Sequence, residues 1–323
     1  MVIMMNKRTR LQSLLLYTLV ISLVVFCVFP FLQILSTSLK HPIDWGNPSL
    51  IPRVLHLDAY KELLGLMPPK EADIPASIQR LLDNPALSAE KKQQLLAKFS
   101  SGGDVFPFGR YMLNTFAISF VTAICSTFLA SLAAYAIARL RFPAQSLMAN
   151  GVLFVYMVGG VLLMVPLYQM SVSVGLASSV GGTLLSLFLI YLIQTLPVAM
   201  YMLGNYFRTI PFSLEEAAMM DGCSRVEAFW RIIMPLSKPM LFTVFIYCFV
   251  IAWNEYLFAS VFLKQYQDFH TLPLALQTLF TSKNAIWDRI MAASMLTLLP
   301  VIICFMLANR HLSGGLTDGG VKG

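Results

Sequence analysis

The sequence predicts an all-α polytopic membrane protein with six transmembrane helices. Three observations carry this. Of 323 residues, 57% are hydrophobic and only 12% charged, whereas a soluble domain carries about 25% charged residues. Six apolar stretches each reach the roughly 20 helical residues that a bilayer core requires. Finally, the basic residues collect in short segments between those stretches, as a topology signal does. The same composition excludes a secreted disulfide scaffold and a disordered chain. The net charge of +7 is spread through short loops and not gathered on one helix or arm, which argues against nucleic-acid binding.

The stretches run over Leu14–Leu35, Leu113–Ala138, Ser146–Tyr168, Gly182–Tyr206, Met240–Phe262 and Ile290–Ala308. The first follows Lys7, Arg8 and Arg10, and Ser36-Thr-Ser38 resembles a cleavage site, so a signal peptide must be weighed. Its apolar run exceeds the roughly 7 to 15 residues of a signal-peptide core, which makes it a retained anchor. With residues 1–13 inside, the inner segments hold eleven of the 23 basic residues: Lys7, Arg8, Arg10, Arg139, Arg141, Arg208, Arg225, Arg231, Lys238, Arg310 and Lys322. Both termini are therefore expected in the cytoplasm.

The five cysteines do not alter this picture. Cys27, Cys125, Cys248 and Cys304 lie inside apolar stretches, where a thiol behaves as a small hydrophobe. Cys223 sits in a loop, and the four histidines are scattered, so neither a disulfide nor a metal site is expected.

Two connections are long enough to carry function. The outer polar loop, 40–110, begins irregularly at Pro42, Pro48 and Pro52. A short helix is expected at Asp58–Leu66, another at Pro75–Leu82, and an N-capped amphipathic one from Ser88. The loop reads either as a helical cap or as a docking surface for an extracytoplasmic partner.

The inner loop, 207–239, is more informative. Ser213 with Glu216, and Ser224 with Glu227, both fit the capping box S-x-x-E, so two short helices are expected with Asp221-Gly222 as the turn between them and Pro235 as the stop. The first helix offers a small-residue face, Ala217 and Ala218, beside Met219 and Met220. It carries two acids and no base, which suits a protein partner better than an anionic lipid surface.

These residues resemble the EAA loop of ABC importer permeases. Glu216-Ala217-Ala218, Asp221-Gly222, Phe229, Ile232, Pro235 and Pro239 stand at that family's spacing. Ala133-Ala-Tyr135-Ala136 followed by Arg139-Leu-Arg141-Phe-Pro143, and Trp253-Asn254-Glu255, extend the match. The terminal 315–323 segment resembles the tail of the maltose-type permease subunit of carbohydrate importers. Residues 68–105 are longer than in many such proteins, and Asp318 stands where a small residue is usual.

The resemblance implies a type I importer permease fold, with a six-span domain over 14–308 and a Gly-rich cytoplasmic tail over 309–323. It implies an inner-membrane subunit paired with a second, related permease subunit, seated on two cytoplasmic ATPase subunits and fed by an extracytoplasmic sugar-binding protein. Glu216, Ala217, Ala218, Asp221 and Gly222 would couple to the ATPase, with Glu216 facing a basic residue and Gly222 permitting the bend. Disaccharides, longer oligosaccharides and glycerol phosphate all fall within such a family. No G-x-x-x-x-G-K-[ST] loop is present, so ATP would be bound by the partner and this subunit would need no cofactor and perform no catalysis.

Polar residues inside spans are pathway candidates. Glu255 is the acid placed well inside a span, beside Asn254 and Tyr256, with Gln194 in the fourth span and Asn114 at the start of the second as further candidates. For Glu255 two roles stay open, a hydrogen bond tying helices together and a contact to substrate. Tyr156, Tyr168 and Tyr247 could stack on a sugar ring, and Ala130, Ala133, Ala134, Ala136 and Ala138 suit close helix packing in lipid. A solitary ion-coupled transporter is the competing class. It would be expected to show inverted repeats and several buried titratable groups, and neither is evident. A membrane-embedded enzyme has no candidate set of acids, histidines or nucleophiles on one span.

Overall fold

The computed structural model describes residues 10–41, 44, 47, 49–67, 106–157, 160–281 and 287–317. The helices expected at Pro75–Leu82 and from Ser88 lie outside them, as do residues 1–9 and the end of the tail from Asp318. Among the described residues every regular element is helical. In chain order these are α1 (Arg10–Ser38), α2 (Asp58–Leu63), α3 (Phe108–Arg139), α4 (Gln145–Met157), α5 (Gly160–Ser173), α6 (Val180–Thr209), α7 (Ser213–Met220), α8 (Arg225–Ala228), α9 (Met234–Leu236), α10 (Lys238–Trp253), α11 (Leu257–Phe262), α12 (Leu272–Thr281) and α13 (Trp287–Thr317).

Among the described residues, five segments are long and apolar enough to cross a membrane: Ser13–Ser38, Phe108–Arg139, Val180–Thr209, Lys238–Phe262 and Trp287–Leu307. Within the third expected span the described residues form two helices, α4 up to Met157 and α5 from Gly160. The fifth is interrupted at Asn254–Tyr256, between α10 and α11. The last helix runs to Thr317, so it passes Ala308 into the segment read as a tail.

The chain forms two compact units. The first comprises residues up to Phe108 together with Leu279–Leu296. In it, α1 leaves its large apolar side chains exposed, among them Leu19, Phe26 and Phe29, as a lipid-facing helix does. At its end, the Ser38 hydroxyl and Tyr60 hydroxyl share a 2.7 Å hydrogen bond. Lys40 is buried and donates to the Asn47 carbonyl at 2.8 Å. Arg289 pairs with Glu62 at 2.6 Å, with both side chains largely buried.

The second unit, Gly109–Thr278 with Thr297–Gly323, contains the main core. Ala123, Ala130 and Ala134 on α3 are fully buried in one cluster with Ala199, Leu203 and Phe207 of α6 and Val244, Cys248 and Phe249 of α10. Small residues at a helix interface let backbones approach closely where lipid supplies no hydrophobic drive. Buried hydroxyls pair across helices, Ser126 with Thr195 at 2.5 Å and Ser171 with Ser186 at 2.6 Å. Asn114, a pathway candidate from sequence, instead donates to the carbonyls of Asp268 and His270. It fastens the segment before α12.

Helix α6 starts on a tight contact. The Ser179 hydroxyl accepts from the Gly182 N–H at 3.1 Å, and a Cβ at Gly182 would stand 2.1 Å from the Leu176 carbonyl oxygen, whereas one at Gly181 would meet nothing. Gly182→Ala is expected to destabilise the protein by about 2 kcal/mol through forced backbone displacement. Gly181→Ala should be neutral or stabilising by up to about 1 kcal/mol. Thermal unfolding of the detergent-solubilised pair checks this, and equal midpoints would refute the contact.

Candidate functional site

Two assemblies in the second unit carry the residues singled out from sequence. The first is the hairpin after α6. Its opening helix, α7, is Ser213–Met220, and its N-cap position is Phe212, which has no side chain to accept a hydrogen bond. The expected Ser213/Glu216 capping box is therefore absent. Main-chain bonds from Leu214, Glu215 and Glu216 to the carbonyls of Pro211 and Phe212 wind the first turn instead. The second box forms in full. Glu227 N–H donates to the Ser224 hydroxyl, and the Glu227 carboxylate accepts from the Ser224 N–H at 2.8 Å. The Ser224 backbone and hydroxyl bonds, followed by the Arg231 charge, hold the Glu227 carboxyl below its ordinary value of 4.5. The cap is thus intact at neutral pH and is lost only as pH falls through that lowered value.

Between the two helices Gly222 adopts φ +90°, a left-handed conformation that favours glycine. After α8 the chain makes a π-helical turn, Phe229–Ile233, and continues through α9 to Leu236. Pro235 therefore does not end the helix. It has no N–H to donate back along the helix, and a widened turn immediately ahead of a proline accommodates that loss. Ala228, Phe229 and Ile233 are buried, with the Phe229 ring 4.8 Å from that of Tyr135. This anchors the second arm in the core.

The first arm is anchored differently. Glu215 is buried, and its carboxylate pairs with Arg139 at 3.0 Å and accepts from the Tyr135 hydroxyl at 3.0 Å. Arg139 also donates to the carbonyls of Phe207 and Ile210 at the end of α6 and lies over the Phe212 ring. A cation at a helix C-terminus satisfies its orphan carbonyls and complements the dipole. Of the residues singled out on this arm, Glu216, Ala217, Asp221 and Gly222 are exposed, but Ala218 is buried. The exposed stripe is Leu214, Ala217 and Met220, the last 89% exposed. Residues three apart lie side by side on a helix, and Ala218, three residues after the buried Glu215, belongs with it on the buried side.

The second assembly is a cleft of about 550 Å3 lined by Tyr156, Gly160, Gln194, Tyr247, Glu255 and Phe258, among others. It holds two of the five pathway candidates, Gln194 and Glu255. Asn254 and Tyr256 do not line it. The Asn254 amide donates to the Val250 carbonyl at the end of its own helix, and the Tyr256 hydroxyl bonds Gln277 on α12. Tyr156 and Tyr247 both border the cleft, while Tyr168 packs edge-on against Phe262.

Glu255 sits where the helix breaks between α10 and α11. Its Oε1 accepts from the Phe258 N–H at 2.8 Å, and its Oε2 accepts from the Ala259 N–H at 3.1 Å and the Tyr191 hydroxyl at 2.9 Å. Those amides are orphan donors at the start of α11. The carboxylate thus caps one helix and ties it to another, while one edge of the side chain borders the cleft.

An all-helical core with an interrupted membrane helix beside a mainly apolar cleft that Gln194 and Glu255 border, and a docked helical hairpin, defines a membrane transport subunit. The chain belongs to the family of binding-protein-dependent transport system inner membrane components, whose profile matches residues 126–318. It is thereby a multi-pass inner-membrane permease component. It is 37% identical to the inner membrane ABC transporter permease protein YcjP of Escherichia coli, over 98% of this chain and 99% of that one. It is 31% identical to the maltose/maltodextrin transport system permease protein MalG of Yersinia pestis, over 100% of this chain and 98% of the relative. The trehalose transport system permease protein SugB of Mycobacterium tuberculosis is 34% identical over 68% of this chain and 79% of its own length. Its fold is shared with a bacterial ABC transporter involved in importing the acidic polysaccharide alginate, at a TM-score of 0.68 and 18% identity, covering 93% of this chain and 96% of that one.

Proposed function

We propose that this chain is the permease subunit of an ATP-driven, binding-protein-dependent sugar importer, forming half of the translocation pathway. The observation that carries the reading is the match to permease proteins named for maltose/maltodextrin transport, end to end, and for trehalose transport, over 68% of this chain. A cleft bordered by two tyrosines, an amide and a carboxylate supports a neutral polyhydroxyl substrate over a phosphate ester such as glycerol phosphate, which the carboxylate would repel. Gln194, Tyr156 and Tyr247 are the residues proposed to meet the sugar, with Glu255 holding the break in the helix beside them.

The partners proposed are a second, related permease subunit, two cytoplasmic ATPase subunits that bind the ATP, and an extracytoplasmic sugar-binding protein. Both termini and α7 lie on the cytoplasmic side in this arrangement. The exposed stripe Leu214, Ala217 and Met220 enters a cleft of the ATPase, Glu216 meets a basic residue there, and Asp221-Gly222 turns the chain back toward the membrane. Ala218 supports this helix from beneath.

Glu216→Ala and Gly222→Pro are expected to leave the protein in the membrane while sugar-stimulated ATP hydrolysis and uptake fall by about tenfold or more, the scale of a lost coupling free energy of 1–3 kcal/mol. Proline fixes φ near −65°, incompatible with the +90° at Gly222. Reconstitution of the whole complex, with maltose and trehalose as probes, checks this. Unchanged hydrolysis and uptake in both variants would overturn the coupling role.

A further inference from the structure

We propose that Arg139, Tyr135 and Glu215 form a buried latch that makes α7 one rigid body with the ends of α3 and α6. A push on α7 would then reach two spans directly. The proposal rests on the reading that α7 receives that push from an ATPase.

Helix α7 has eight residues, too few to be stable alone in water. Its fixed orientation therefore has to come from its neighbours. Along the chain, the route onward to α10 passes through Gly222 at φ +90° and the π-helical turn at Phe229–Ile233. Both are backbone irregularities, and a displacement of α7 can be absorbed at either.

The route through Glu215 has no such slack. Its side chain is 3% exposed and that of Arg139 is 6% exposed, at a separation of 3.0 Å. Glu215 also accepts the Tyr135 hydroxyl at 3.0 Å. Tyr135 and Arg139 are one turn apart on α3, so the carboxylate is gripped from two points of one rigid helix. Arg139 simultaneously donates to Phe207 and Ile210 and covers the Phe212 ring. One guanidinium thus touches the end of α6, the connection and α7. An apolar contact would supply adhesion at least as well as a buried ion pair. What the charged, multiply hydrogen-bonded arrangement adds is direction. Adjacent acids on α7 consequently have opposite assignments, with Glu216 exposed and Glu215 locked inward. Arg139, Tyr135 and Glu215 act as positioning residues.

The test uses the complete complex in lipid nanodiscs, with spin labels at Ser213→Cys and Arg141→Cys in a chain whose native cysteines are replaced. The distance between them is read without nucleotide and in the ATP-vanadate state. In the wild-type latch the two distributions should coincide. In Tyr135→Phe, which removes one hydroxyl and keeps the ring, and in Glu215→Gln, the ATP-vanadate distribution should shift or broaden. A wild-type distance that itself changes between states would overturn the proposal. So would variants that unfold at lower temperature yet keep a state-independent distance, because that is the signature of a purely stabilising contact. Separately, cross-linking from Met220→Cys to the ATPase subunit tests the docking itself. Its absence would refute the docking reading, while the distances still decide whether α7 and α3 move as one.

Discussion

Glu255→Leu is expected to destabilise the protein by roughly 4 kcal/mol, because it strips partners from three buried donors at once, each worth about 1–3 kcal/mol when left unsatisfied. The donors are the N–H groups of Phe258 and Ala259 and the hydroxyl of Tyr191. They lie in two segments of membrane-crossing length and apolarity, Val180–Thr209 and Lys238–Phe262, where no water replaces a lost acceptor. Glu255→Gln keeps one oxygen and should cost roughly half as much, and Tyr191→Phe, which removes a single bond, about 1 kcal/mol. Thermal unfolding in detergent ranks the three. A leucine variant within 0.5 kcal/mol of wild type, on the order of an ordinary surface change, would show that the cap does not hold the break. Normal stability combined with lost uptake would instead assign Glu255 to the substrate.

This explains why the sequence left the residue undecided. Hydropathy averages over a window, and Trp253-Asn254-Glu255 vanishes inside an apolar run that nevertheless contains a helix break. Prolines 30, 166, 197 and 300 all lie inside continuous helices, as membrane helices tolerate. Helix breaks in lipid are thus set by which residue can satisfy the freed amides, and proline alone does not mark them.

The hairpin was legible where its chemistry is local. Ser224 and Glu227 are three residues apart and form their box, and Gly222 takes the left-handed turn. Ser213 and Glu216 have the same spacing and fail, because Phe212 occupies the cap position and the helix begins one residue early. Glu215 was missed for a different reason. Its partners, Tyr135 and Arg139, are separated from it by more than seventy positions of chain, and a pairing of that span leaves no periodic trace. Arg139 was counted among the charges that set topology, and the one available clue was the acid doubled beside Glu216.

The Arg139–Glu215 pair makes the second large prediction, a pronounced failure of additivity. Arg139→Met leaves a carboxylate buried with only the Tyr135 hydroxyl, and Glu215→Leu leaves a buried guanidinium. Each single variant should cost about 3–5 kcal/mol, the usual consequence of removing one member of a buried ion pair. The double variant leaves no uncompensated charge. Phe207 O retains the Ile210 N–H as a donor, and leucine and methionine can pack against Tyr135 and Phe212. It should therefore be more stable than the sum of the singles by roughly 2–3 kcal/mol. Additive costs, within about 0.5 kcal/mol, would show that the two charges do not depend on each other. If the pair serves only to hold the fold, the double variant should recover function together with stability. If it aims α7, the double variant should be folded and still uncoupled, since two apolar side chains restore the contact area and not its direction.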